Sequence, residues 1–132
     1  MNVWRSIGPA MHGVLDYLFV ILLIIGPGVT GFAPSTAQAK FCWAIAALLL
    51  IVSLLTRYPL GAKKIVGFVS HAIIEMAIVV ALLILPWTRS FSSGVLSRNF
   101  FVTIGVLLAV IWALTDFRNM RGRVTSSSRT VS

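Results

Sequence analysis

Apolar residues run along this chain in four long blocks, roughly Ile7 to Gly26, Ala39 to Leu55, Ile65 to Leu85 and Phe100 to Leu114. With its flanks, each block has about the length that a helix needs to cross a bilayer. The pattern predicts an all-α membrane protein of four transmembrane helices, arranged as two tandem helical hairpins. In the first hairpin, Pro9 falls near the start of helix 1, where its missing donor costs nothing, and Gly26-Pro27-Gly28 ends or kinks that helix near the far side. Ser35 and Gln38 have the spacing of a capping box that opens helix 2, and Tyr58-Pro59 closes it. The connection Leu60-Gly61-Ala62-Lys63-Lys64 is short, which makes the hairpins neighbours. Helix 3 ends at Leu85-Pro86-Trp87, residues 90–97 form the second outer turn, and helix 4 runs to Thr115-Asp116.

Sliding the sequence along itself by 59 residues aligns Ile7 to Tyr58 with Val66 to Phe117 without a gap. Gly8 meets Gly67, His12 meets His71, Asp16 meets Glu75, Pro27 meets Pro86, Phe41 meets Phe100, and Leu55-Thr56 meets Leu114-Thr115. Matched leucines could be chance between apolar helices, but one register for histidine, acid, proline and phenylalanine points to a duplicated hairpin. The chain is then one membrane domain over residues 1–132, with repeat 1 at about 7–58, repeat 2 at about 66–117 and a flexible basic tail at 118–132. Each repeat holds an even number of spans, so the copies point the same way about an axis along the membrane normal. His12 and His71 should therefore lie at one depth, with Asp16 and Glu75 about 6 Å deeper.

Composition agrees: 58% of residues are apolar and 11% charged, and the mean hydropathy is +0.98. The net charge of +8 sits at helix ends rather than on a folded basic module with interleaved aromatics, which argues against nucleic acid. Arg5, Arg57, Lys63, Lys64, Arg118, Arg121, Arg123 and Arg129 fall on one side, and Lys40, Arg89 and Arg98 on the other. That asymmetry predicts cytoplasmic N- and C-termini and attraction to anionic lipids. Trp4, Trp43, Trp87 and Trp112 fall near helix ends, as interfacial anchors do. The single cysteine, Cys42, forms no internal disulfide and belongs to no Cys/His metal spacing. The first block imitates a removable signal peptide, but Asp16 interrupts it and it has an internal twin, so it reads as a span.

Pro86-Trp87, the matching Pro27, and two-helix units with a polar residue near the start and a proline near the end resemble the SPW-repeat family of small bacterial integral membrane proteins. The family pattern is Ser-Pro-Trp; this chain has Leu85-Pro86-Trp87 and Gly26-Pro27-Gly28. The resemblance spans about Ile7 to Phe117 and implies a multi-pass protein of the bacterial cytoplasmic membrane. It imports no activity and no site residue.

Candidate chemistry lies in the two His/acid pairs, His12 with Asp16 and His71 with Glu75, each at i,i+4 on one helix face. A charged side chain at the middle of a membrane helix costs roughly 2.5–3.5 kcal/mol on insertion scales, so these groups should face the bundle interior. Three roles fit. Each pair could be a hydrogen bond that fixes packing, with Gly8 and Gly67 permitting close approach on the same face. The four groups could ligate a divalent transition metal, or His12 and His71 could be the axial ligands of a haem. They could also relay protons, although nothing ionisable continues toward the outer face. No phosphate loop, nucleophile elbow or other catalytic set is present. A small bundle with few residues between its spans suits an accessory or assembly subunit of a larger membrane complex, or a homo-oligomer, better than an enzyme.

Overall fold

The computed structural model describes residues 6–31, 36–88 and 95–115. Four helices make up almost all of this: α1 (Pro9–Thr30), α2 (Ala37–Leu55), α3 (Phe68–Ile84) and α4 (Val95–Leu114), with a 3-10 turn at Leu85–Trp87 continuing α3. Counting that turn with α3, the spans are 22, 19, 20 and 20 residues long with mean hydropathies of 1.9 to 2.5 over 18-residue windows, so each is long and apolar enough to cross a membrane. The chain is a multi-pass membrane protein.

Helix ends follow local chemistry. Pro9 occupies the first turn of α1 behind Gly8. Where an end or a kink is expected at Pro27, α1 does not end. It runs on to Thr30 and closes with Gly31 in the left-handed region, φ 78°, whose N–H donates to the Pro27 carbonyl. The Thr30 hydroxyl donates to the Gly26 carbonyl at 2.6 Å, so the turn around the proline is stabilised from outside the backbone ladder. Thr36 caps α2, accepting from the Ala39 N–H at 3.3 Å. The cap is thus Thr36; Ser35 lies outside the described residues, as do Trp4, Arg5, Asp116 and the tail from Arg118. Helix α4 starts at Val95, inside the stretch expected to be a turn, because Ser97 is buried and the Arg98 guanidinium stacks 5.0 Å over the Trp87 ring.

Packing is closest within hairpins, α1 on α2 and α3 on α4, with slighter contacts between α1 and α4 and between α2 and α3. The core between them is hydrocarbon: Phe19, Leu23, Ile45, Leu49, Ile78, Leu82, Phe101, Ile104 and Leu108 form its centre. Glycines set how near the helices come. A Cβ on Gly105 would stand 2.9 Å from Leu83 Cδ2, and one on Gly26 would strike the Phe100 ring. Gly8 and Gly67 do not have the close-packing role expected of them, since they are N-caps with nothing closer than 3.8 Å to an added Cβ. Large apolar side chains such as Leu18, Ile21 and Ile25 on α1 and Val106 and Val110 on α4 point outward, as a lipid-facing surface requires.

At one end of the bundle the hairpins clasp each other. The Ile7 N–H donates to the Leu114 carbonyl at 3.1 Å, and the Val66 N–H to the Leu55 carbonyl at 2.7 Å. Ile7 bridges Thr115, and Thr56 bridges Val66, both in parallel fashion. Donors 7 and 66 and acceptors 55 and 114 differ by the same 59 residues.

Candidate metal centre

Just inside that clasp, α1 and α3 each present a histidine in the first turn and an acid one turn deeper. His12, Asp16 and His71 have no exposed surface and Glu75 has 1%. The shortest contacts run between helices. His12 Nε2 lies 3.1 Å from Glu75 Oε2 and 3.4 Å from Asp16 Oδ1, while His71 Nε2 lies 3.1 Å from Asp16 Oδ2 and 3.7 Å from Glu75 Oε2. The intrahelical pairing expected from the i,i+4 spacing is therefore the weaker one for each histidine, because the facing helix brings its acid closer than the helix's own geometry does. One donor atom from each of the four residues lies within 4.8 Å of the other three. His71 Nε2, Asp16 Oδ1 and both Glu75 oxygens have no well-directed hydrogen bond among the described residues. These are buried polar atoms, close together and poorly satisfied by one another.

Two threonines back the imidazoles. Thr115 Oγ1 stands 2.8 Å from His12 Nδ1, and Thr56 Oγ1 stands 2.8 Å from His71 Nδ1. Each threonine comes from the opposite hairpin, at the residue just after α4 or α2. Asp16 has further support: Ser53 Oγ and the Tyr58 hydroxyl both donate to its Oδ2 at 3.4 Å. Tyr58 lies past the end of α2, buried against Gly13, where a Cβ would come within 2.8 Å of its ring. Burial, and to a lesser extent the nearby Asp16 charge, push its phenol above the usual tyrosine range, so it remains a donor. On the other acid's side, the residue corresponding to Ser53 is Trp112, whose indole N–H donates instead to the Ala72 carbonyl at 2.9 Å. Phe68 closes the wall, edge-on to His12 with ring centres 5.5 Å apart.

The four residues singled out by their spacing thus meet at one point. Thr56, Thr115, Ser53 and Tyr58 join them without having been singled out. For the threonines a mark existed, since Thr56 and Thr115 share the 59-residue register of the histidines. For Ser53 and Tyr58 there was none, because neither hydroxyl recurs 59 positions on, where the chain has Trp112 and Phe117. Beside the clasp, Arg57 Nε donates to the Lys64 carbonyl at 3.2 Å. No protein-family model, curated protein or solved structure matches the chain.

Proposed function

We propose that this chain holds a divalent transition-metal ion of the zinc class between its two hairpins, with His12, Asp16, His71 and Glu75 as ligands. The observation that carries this reading is the convergence of four fully buried donor groups within 4.8 Å in a hydrocarbon setting. Two neutral imidazoles and two carboxylates carry a charge of −2, which a divalent ion cancels, and a neutral centre is what a membrane interior tolerates. Two nitrogens and two oxygens suit borderline ions. Soft Cu(I) prefers sulfur and Ca²⁺ an all-oxygen shell. A haem fits less well: axial imidazoles stand on opposite faces of a macrocycle, whereas both Nε2 atoms here adjoin the same Glu75 and Asp16 carboxylates, which fill the space between them.

Four protein ligands make a closed set of the structural kind, without the open position that catalytic zinc keeps. This favours an accessory or assembly subunit of a membrane complex, or a homo-oligomer, over an enzyme. We place the chain in a bacterial cytoplasmic membrane with both termini inside, on the strength of its charge asymmetry and of the SPW-repeat resemblance carried by Pro27 and Pro86-Trp87. Duplication of an ancestral hairpin accounts for the shared 59-residue offset of the clasp, the ligands and the threonines.

Protein purified in mild detergent should carry about one equivalent of zinc-class metal by elemental analysis, or take up one equivalent of Zn²⁺ or Co²⁺ after chelation. A chain that is metal-free as isolated and binds neither ion would leave the cross-helix hydrogen bonds as packing alone. In a Cys42→Ser background, Lys63→Cys and Ser93→Cys should be labelled from opposite sides of intact cells. Labelling of both from outside would overturn the topology, and labelling of Lys63→Cys alone from outside would reverse the assigned orientation.

A further inference from the structure

We infer that Thr56 and Thr115 are the positioning residues of this centre, each holding the imidazole of the other hairpin so that its Nε2 lone pair faces the ion. The inference rests on the metal reading and adds to it which nitrogen binds and what enforces the choice.

A hydroxyl has one hydrogen to give. Thr56 Oγ1 donates to the Val52 carbonyl at 2.5 Å, and Thr115 Oγ1 donates to the Ile111 carbonyl at 2.6 Å, both four residues back along their own helices. With its proton spent there, each hydroxyl can only accept at its second short contact. The 2.8 Å contacts are therefore Nδ1–H donations from His71 to Thr56 and from His12 to Thr115. A neutral imidazole protonated on Nδ1 has its lone pair on Nε2, the atom that lies 3.1 Å from a carboxylate oxygen on both histidines. Without a cation in the centre, two lone-pair bearers would confront each other there. The threonines thus select the tautomer that a metal needs, as an outer hydrogen-bond acceptor does for metal-bound histidine generally.

The crossing matters as much as the hydrogen bond. His12 is on α1 and its threonine follows α4; His71 is on α3 and its threonine follows α2. Each threonine also sits in the backbone clasp, Thr115 bridged to Ile7 and Thr56 to Val66. The Nδ1–H tautomer at each histidine is held in place only when the two hairpins are docked, so hairpin docking favours ion binding and ion binding favours docking.

The test uses the full chain in detergent, with Co²⁺ as the probe and its d–d absorption as the readout. Thr56→Val and Thr115→Val keep the shape and lose the acceptor. Each should weaken Co²⁺ binding about 10- to 100-fold and alter the d–d spectrum, while Thr56→Ser and Thr115→Ser should restore both. Valine variants that fold and bind Co²⁺ with wild-type affinity and spectrum would overturn the positioning role and leave the metal reading standing. Failure of the wild-type chain to bind Co²⁺ or Zn²⁺ would overturn both. Should the valine variants not fold, ¹⁵N-histidine NMR of the Zn²⁺-loaded wild type decides: protonated Nδ1 and metal-bound Nε2 on both histidines is the expected result, and metal on either Nδ1 overturns the assignment.

Discussion

On the proposed metal reading, His71→Ala should abolish ion binding and lower stability by about 3–5 kcal/mol, the typical cost of leaving a buried charge, here a carboxylate, without its partner. His71 is wholly buried, and its Nε2 is the nearest histidine atom to Asp16. Without it two carboxylates share one imidazole in a site that water does not reach. Its ring also fills space beside His12 and Tyr58, with centres 5.5 and 5.8 Å away, so the truncation leaves a cavity as well. Thermal unfolding in detergent and metal content on the same preparation measure both effects. Pairing also has a direction. A double-mutant cycle of His71→Ala with Asp16→Asn should show larger coupling than one with Glu75→Gln, because the contacts are 3.1 and 3.7 Å. Equal couplings would mean that the crosswise geometry is not what holds the site.

Gly61→Ala is expected to be the most damaging small substitution outside the four ligands. A Cβ at Gly61 would collide with the Thr56 carbonyl oxygen, which is backbone and cannot rotate away. The segment has little freedom to yield. Gly61 N–H donates to the Tyr58 carbonyl at 3.0 Å, Lys63 N–H to Leu54 at 2.9 Å, and Ile65 and Val66 N–H both to Leu55. Relief must come from moving Thr56 or Tyr58, whose hydroxyls reach His71 and Asp16. Overpacking of this kind costs about 1–3 kcal/mol, and here it should also weaken Co²⁺ binding. Gly8→Ala and Gly28→Ala, where an added Cβ meets nothing within 4 Å, provide the contrast. If Gly61→Ala matches them in melting temperature and in affinity, the connection does not position the site.

The four spans were legible because their length and hydropathy have one common physical explanation, and the His/acid pairs stood out because ionisable groups are costly in hydrocarbon. What the spacing could not show is who pairs with whom. An i,i+4 pattern places His12 and Asp16 on one face of α1, but only the approach of α3 decides that Glu75 comes closer to His12 than Asp16 does. Helix limits were blurred where polar residues lie in the first turn of a span: residues 95–97 look like part of the turn, but they belong to α4, where Arg98 lies over the Trp87 ring. Pro27 looked like an end or a kink because its ring removes one backbone bond, and Thr30 and Gly31 carry the helix past it. Thr56 and Thr115 carried the mark of the repeat register, but their role was not legible, because a threonine at a helix end usually serves only its own backbone.

The apolar core described above has a kinetic consequence. Along every helix it lies on one side of the His/acid cluster: after Asp16 on α1, before Ser53 on α2, after Glu75 on α3 and before Trp112 on α4. An ion moving that way would surrender all its ligands to hydrocarbon, at a Born cost of order tens of kcal/mol. Traffic therefore passes only the clasped end, where Tyr58 is packed under the connection to α3. A bound ion could consequently leave no faster than that end opens, so the breathing of the clasp sets a floor under its residence time.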